Sequence, residues 1–271
     1  MFPQVGDFLD ESEALHALLA PLSDRDFETR TQFKDYTIGD VVAHLHHWNV
    51  AADLSLRDEA GFRAFFQQVA AGLGGGRTLV EIATEWLGPL RGRALLEEWR
   101  RFARELAGHF GEADPKARVP WAGPDMSVRS SITARLMETW AHGQEVYDVL
   151  GATRVDTDRI KNIAQLGVNT FAWTFLNRRL EVPADVPHVR LVAPSGAIWE
   201  WNPPSETNRV EGDASEFCQV VTQVRNLADT KLTVVGETAR RWMSIAQCFA
   251  GAASDPPAPG TRFREASPRP R

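Results

Sequence analysis

A chain of 271 residues with a formal net charge of -6, 43% apolar and 24% charged residues has the balance of a globular protein with a real core. Its length suits one large domain or two modest ones. The acidic balance argues against a nucleic-acid binder, which carries a basic face, and no apolar run is long enough to span a bilayer.

The first stretch, MFPQVGDFLDESEALH, has neither the basic nor the apolar region of a signal peptide, so the expectation is a soluble, cytoplasmic protein. Phe8, Leu15, Leu18, Leu19 and Leu22 recur at helical spacing over residues 7–22. Residues 24–36 read as a loop. Thr37-Ile-Gly-Asp40 then resembles a capping box with Asp in the usual Glu position, which starts a helix at Ile38. Three histidines follow on it, His44, His46 and His47. At 100° per residue His44 shares the face of Val41 and Trp48, His47 lies on its shoulder, and His46 points away. A lone histidine on an apolar face is more often a hydrogen-bonded core residue, and an exposed histidine cluster is also common; three in four residues raise the metal reading.

Residues 59–73 form another amphipathic stretch. The glycine run that follows lacks a Gly-Lys-Ser/Thr ending and a preceding strand, so it reads as a helix connection and not as a phosphate loop. Residues 78–87 and 93–110 give two further helices. The loop 113–124 delivers the chain to a long helix over residues 127–151, capped by Asp125 or Ser127 and ended by Gly151. On that helix Glu138 and His142 are four apart, which sets both side chains on one face, about 5–6 Å apart at Cβ. A carboxylate and an imidazole so placed can share one metal ion.

A further helix is expected over residues 156–179. The texture then changes: residues 188–192 and 197–201 alternate around Pro194-Ser-Gly196 as a hairpin, and residues 208–212 and 232–235 are strand candidates. Residues 214–226 and 239–250 read as helices. The expected domains are a helical one over 1–180, a small α+β one over 187–253, and a disordered tail over 254–271. Cys218 and Cys248 have no partner motif and read as buried thiols.

Three stretches, DYTIGDVVAHLHHWN, VPWAGPDMS and TARLMETWAHGQEVYDVLG, together resemble the mycothiol-dependent maleylpyruvate isomerase-like proteins. These belong to the wider DinB/YfiT-like superfamily of metal-binding helical bundles. The resemblance covers about residues 8–178, and the segment after 187 is similar to that family's C-terminal domain, which has a sterol-carrier-like shape. It implies a mainly α fold with a four-helix core holding a divalent metal. The ligands it implies are His44, Glu138 and His142, with His47 as the competing choice for the first. Two histidines and a glutamate leave an open coordination position, as in catalytic zinc sites. A thiol entering there loses its proton.

The expected function is a metal-dependent enzyme using mycothiol or another low-molecular-weight thiol for S-transfer or isomerisation of a small electrophile. Zinc is the first choice of metal, with nickel, iron or manganese also compatible with the donors. Glu145 can orient a ligand imidazole or contact substrate, or be an ordinary solvated glutamate. Arg135 can pair with Glu138 or bind a substrate carboxylate. Arg240 and Arg241 can grip an anionic part of the thiol cofactor, or be a surface pair. The alternatives are a protein that binds an apolar ligand, with a structural metal or none, and a metal-dependent hydrolase. The expected partners are the small substrate and the thiol, with no nucleic acid and no membrane, and the chain is expected to be a monomer or a homodimer.

Overall fold

The computed structural model describes residues 1–263 and is mainly helical with a small sheet region. It divides into two compact units, one running from Met1 to Ala152 and one beginning at Thr153. That boundary precedes the expected one near 180–187. The reason is packing: the helical segments between 161 and 176 lie against later helices and therefore belong with the second unit.

The first unit holds α1 (Pro3–Leu19), α2 (Ile38–Arg57), α3 (Glu59–Gly74), α4 (Leu79–Leu87) and α5 (Gly92–Glu112). A two-residue pair, β1 (Arg118–Val119) and β2 (Met126–Ser127), leads into α6 (Val128–Val149). The short antiparallel pair lies in what reads from sequence as an open loop. Helix α1 packs on α5 and α6, and α2 packs on the same two helices, while α3 and α4 lie against α2.

Local chemistry explains the ends of the two helices that matter most. Thr37 Oγ1 accepts from the Asp40 amide at 3.0 Å, and Asp40 Oδ2 accepts from the Thr37 amide at 2.9 Å. The reciprocal box satisfies two donors that would otherwise be orphaned at the start of α2. Helix α6 begins with Ser127 accepting from the Ser130 amide at 3.1 Å, which selects Ser127 over Asp125 as its cap. It ends at Gly151, whose φ of 64° takes the left-handed turn a glycine makes without strain.

Of the three apolar clusters among the described residues of this unit, two run along α1, α2, α5 and α6. One gathers Leu15, Val42, Leu45, Leu95, Trp99 and Val146; the other gathers Phe8, Ala52, Leu106, Phe110, Ile132 and Leu136. In the helix sequences a polar layer separates them: Glu11 and Ser12 on α1, Asn49 on α2 and Thr139 on α6, all buried. Ser12 and Thr139 donate to carbonyls one turn back. Neither polar atom of the Asn49 amide has a partner, at a cost of about 1–3 kcal/mol for each such group.

The second unit opens with α7 (Lys161–Asn169) and α8 (Phe171–Leu176). A single helix was expected here. Thr170 ends the first segment by turning its hydroxyl back to the Leu166 and Gly167 carbonyls, at 2.8 and 3.0 Å. The sheet follows as β3 (His188–Val192), β4 (Ile198–Trp201) and β5 (Arg209–Asp213), then α9 (Ala214–Val221), β6 (Thr233–Val235) and α10 (Glu237–Ile245). Strand order is β4-β3-β5-β6, with β3 parallel to β5 and the other pairings antiparallel. Helix α9 packs on β3 and β5, setting Phe217 and Val221 in the core with Val189, Leu191 and Val210. It is shorter than expected because Gln223, at φ 59°, turns the chain out of the helix. Cys218 and Cys248 are both buried thiols outside any disulfide.

The tail expected to be disordered from residue 254 is held to this unit as far as it is described. Gln223 donates to the Ser254 carbonyl at 2.7 Å, Asn226 to the Pro257 carbonyl at 2.8 Å, and the Gly260 amide donates to Asp229 at 2.9 Å. Prolines cannot donate, but their carbonyls accept well. The rest of the expected tail, 264–271, lies outside the described residues. Among the described residues no helix is long and apolar enough to cross a membrane.

Because the capping box anchors the start of α2, Thr37→Ala is expected to cost about 1 kcal/mol of stability. Thermal unfolding measures it as a fall of a few degrees in Tm, and an unchanged Tm would show that the box contributes nothing.

Candidate metal centre

Helices α2 and α6 bring His44, Glu138 and His142 together. His44 Nε2 lies 3.1 Å and His142 Nε2 3.5 Å from the same carboxylate oxygen, Glu138 Oε2. The two imidazole centroids are 4.6 Å apart, and one donor atom from each residue falls within 4.8 Å of the others. Tetrahedral ligands at the usual zinc distances stand about 3.4 Å from one another, so the measured spacings are close to those of a shared ion. The side chains are 14%, 20% and 12% exposed, which leaves a largely desolvated site with an opening.

The donor set fits a divalent ion: two imidazoles and one carboxylate, with no fourth protein ligand among the described residues, is the composition of an open site. The backing is uneven. Glu138 Oε1 faces Arg135 Nη2 at 3.9 Å. His142 Nδ1 is buried without a hydrogen-bond partner among the described residues, so on this ring none of them makes the bond that commonly orients a ligand imidazole. Phe33 stands edge-on to it instead, at 5.0 Å between centroids.

Electrostatics follow from burial. Burial works hardest against the charge of Glu138, yet hydrogen bonds from His142 and His44 and the charge of Arg135 outweigh it, and the carboxyl is held well below its usual range. Burial also depresses His44, to about 4, against the pull of Glu138. Desolvation lowers the pKa of Arg135 from its ordinary value, with Glu138 opposing. Burial is likewise the main cause of the raised Tyr36 phenol, followed by Asp40 and Glu138.

The three histidines of α2 part company in the structure. His44 alone among them joins Glu138. His47 packs against Phe65 at 4.5 Å and Trp86 at 5.1 Å, and it stands outside the donor cluster. His46 points away from His44 as expected, but into protein: it is 3% exposed and lies against Phe102 and Trp86. The exposed-cluster reading fails because α4 and α5 cover that side of α2. A groove of about 610 Å³ beside His46, lined also by Trp86, Leu90, Glu97, Glu98 and Arg101, does not include the triad.

Glu145 is buried, so the solvated reading is overturned. Arg240 and Arg241 are exposed on α10 in the second unit, where the Arg241 guanidinium sits 5.5 Å from the Phe175 ring. Sequence reasoning did not connect Phe33, Tyr36 and Trp121 to this region. All three come from loops, where no helical period assigns a side chain to a face.

The mycothiol maleylpyruvate isomerase N-terminal domain family matches residues 8–147. Two uncharacterized proteins of Mycobacterium tuberculosis, one from each of two strains, are 39% identical over 249 residues, covering 92% of this chain and 96% of theirs. The crystal structure of the mycothiol-dependent maleylpyruvate isomerase, and that of a histidine-to-alanine mutant of it, are similar in fold. Each has a TM-score of 0.51 at 15% identity, covering 81% of this chain and 88% of the other.

His46 and His47 also make the metal-free protein sensitive to acid. Burial holds both rings neutral down to about pH 4 in the folded chain, whereas an unfolded histidine takes its proton near 6.5. Between these values the unfolded state binds more protons, so stability rises with pH through that window and falls as pH drops from 6.5 to 4. Each ring contributes roughly 3 kcal/mol at most. Urea unfolding between pH 7.5 and 4.5 should show the decline, and His47→Leu should make it shallower; a profile as steep in the variant would refute the assignment.

Proposed function

This chain belongs to the mycothiol maleylpyruvate isomerase N-terminal domain family, and from that premise we propose that it is a metal-dependent enzyme. In this reading it uses mycothiol, or a similar low-molecular-weight thiol, for isomerisation or S-transfer on a small electrophile. The observation that carries the proposal is the shared oxygen of Glu138 between His44 and His142. The name of the solved neighbours, mycothiol-dependent maleylpyruvate isomerase, supports the choice of thiol and of chemistry. The packed set α1, α2, α5 and α6 is read as the DinB-like four-helix bundle, and the α+β unit as sterol-carrier-like. The protein is read as cytoplasmic, acting as a monomer or homodimer.

In this reading His44, Glu138 and His142 hold the ion, zinc by preference. A divalent ion bound there would act as a Lewis acid, lowering the pKa of a thiol ligand enough to make it a nucleophile at neutral pH. The chain's own residues supply the rest. Burial keeps His44 neutral, as a metal ligand must be. Arg135 leaves Glu138 Oε2 directed at the two imidazoles by drawing on Oε1. Trp48 and Phe33 flank the imidazoles of His44 and His142, at 6.4 and 5.0 Å, and limit access of water. Glu145, one turn beyond His142 and buried, is proposed to orient the site or contact substrate. Arg240 and Arg241 are proposed to grip an anionic part of the thiol.

Protein purified without chelators should carry one divalent ion per chain. His44→Ala and His142→Ala should lose it, by more than the ~10–100-fold typical of removing an outer-shell partner, while His47→Leu should keep it. Elemental analysis of folded variants decides this, and wild-type protein without stoichiometric metal would overturn the reading. Electrophile consumption that proceeds equally well without added thiol would replace thiol chemistry with hydrolysis.

A further inference from the structure

Arg135 is the most anomalous side chain in the first unit. It is 3% exposed, and two of its nitrogens, Nε and Nη1, are buried with no hydrogen-bond partner among the described residues. The third, Nη2, stands 3.9 Å from Glu138 Oε1, an ion-pair distance too long for a hydrogen bond. A guanidinium cannot shed its charge to escape this situation. Stripping its water without replacing the hydrogen bonds is strongly unfavourable, so a buried arginine held by a 3.9 Å ion pair and an aromatic face keeps donors for a further partner.

The surroundings say where that partner sits. The guanidinium carbon lies 5.7 Å from the centre of the Trp121 ring. Trp121 in turn packs on Trp48 at 5.8 Å and stacks on Phe62 at 5.8 Å, and Trp48 lies 6.4 Å from His44. His44 and Glu138 close the circuit back to Arg135. One side of this ring of contacts is aromatic and half-exposed, since Trp48 and Trp121 both keep some access to solvent. The other side carries the donor triad.

Charge counting gives the sign of the ligand. Without metal, Arg135 and Glu138 cancel. Among His44, Glu138, His142 and Arg135, a divalent ion would bring two positive charges beside the one of Arg135, against the carboxylate of Glu138 and with the ligand imidazoles neutral. A surplus of two positive charges in a desolvated site calls for anions. A thiolate accounts for one, and a planar carboxylate on the second reactant matches the guanidinium that remains.

We propose that Arg135, walled by Trp121 and Trp48, is the residue of this chain that anchors a carboxylate of the electrophilic substrate. The inference rests on the proposed metal centre for its charge surplus. The carboxylate and the ion then lie on either side of Glu138, so one ligand can touch both.

The test uses calorimetric titration of metal-loaded and metal-free full-length protein with malonate and with its neutral counterpart, malonamide. Malonate should bind the metal-loaded wild type and malonamide should not. Arg135→Met should weaken malonate by about tenfold or more at unchanged metal content, and Arg135→Lys should recover part of the loss by keeping the charge without the fork. Equal malonate affinity in wild type and Arg135→Met would overturn the proposal, as would malonamide binding as well as malonate. Loss of metal in both folded variants would also overturn it, because Arg135 would then serve only to position Glu138. If Arg135→Met does not fold, Arg135→Lys carries the decision: undiminished malonate affinity there counts against the fork. Wild type that takes up no metal would refute the metal centre itself, a result read separately by elemental analysis.

Discussion

Everything at this site depends on one desolvated carboxylate. Glu138 sits on α6 where helix packing removes most of its water, and an ionised group there survives only with partners. Three are supplied: His44 across the helix interface, His142 one turn along, and Arg135 three residues back. The two imidazoles converge on one oxygen and the guanidinium faces the other. The carboxylate is therefore divided by function, one oxygen for the donor cluster and one for the arginine.

That division organises the packing around it. Helix α6 carries Arg135, Glu138 and His142 within two turns, so its register against α2 must place His44 opposite Glu138. The reciprocal box at Thr37 starts α2 at a defined residue, and Ser127 does the same for α6. The apolar clusters on either side then fix the register, because sliding one helix by a turn would bring the buried polar residues Asn49 and Thr139 into contact with the leucines. Rigid helices, not loops, set the donor distances, while loops supply the flanking aromatics Phe33 and Trp121.

Much of this was legible in the residues. A four-residue spacing on a helix needs no tertiary information, so Glu138 and His142 could be paired from sequence. Thr37 and Asp40 declared their helix start for the same reason. The family resemblance pointed to His44, and its face on the helix agreed. What periodicity could not supply was the identity of neighbours. Nothing local distinguishes a histidine facing water from one facing Phe102, which is why His46 read as outward and proved buried. The boundary at Ala152 was missed because α7 and α8 have ordinary helical rhythm, and only their partners assign them to the second unit. The chain after Ser254 lacks apolar rhythm, yet Gln223, Asn226 and Asp229 hold it through hydrogen bonds that hydropathy does not register.

The histidines of α2 show how little sequence separates a ligand from a filler. His44, His46 and His47 have the same chemistry, and burial lowers the pKa of all three to about 4. A ring that is neutral at working pH can accept a metal or simply pack, and burial alone does not choose between these. The choice is made by rotation: a two-residue step turns the helix through 200°, exchanging a carboxylate for aromatic rings. His47 faces Phe65 and Trp86, whereas His44 meets Glu138. Of the three, His44 is the one on which a second donor and a carboxylate converge, beside Glu138 and the guanidinium of Arg135, and that convergence is why the proposed reading takes His44 and neither neighbour as the ligand.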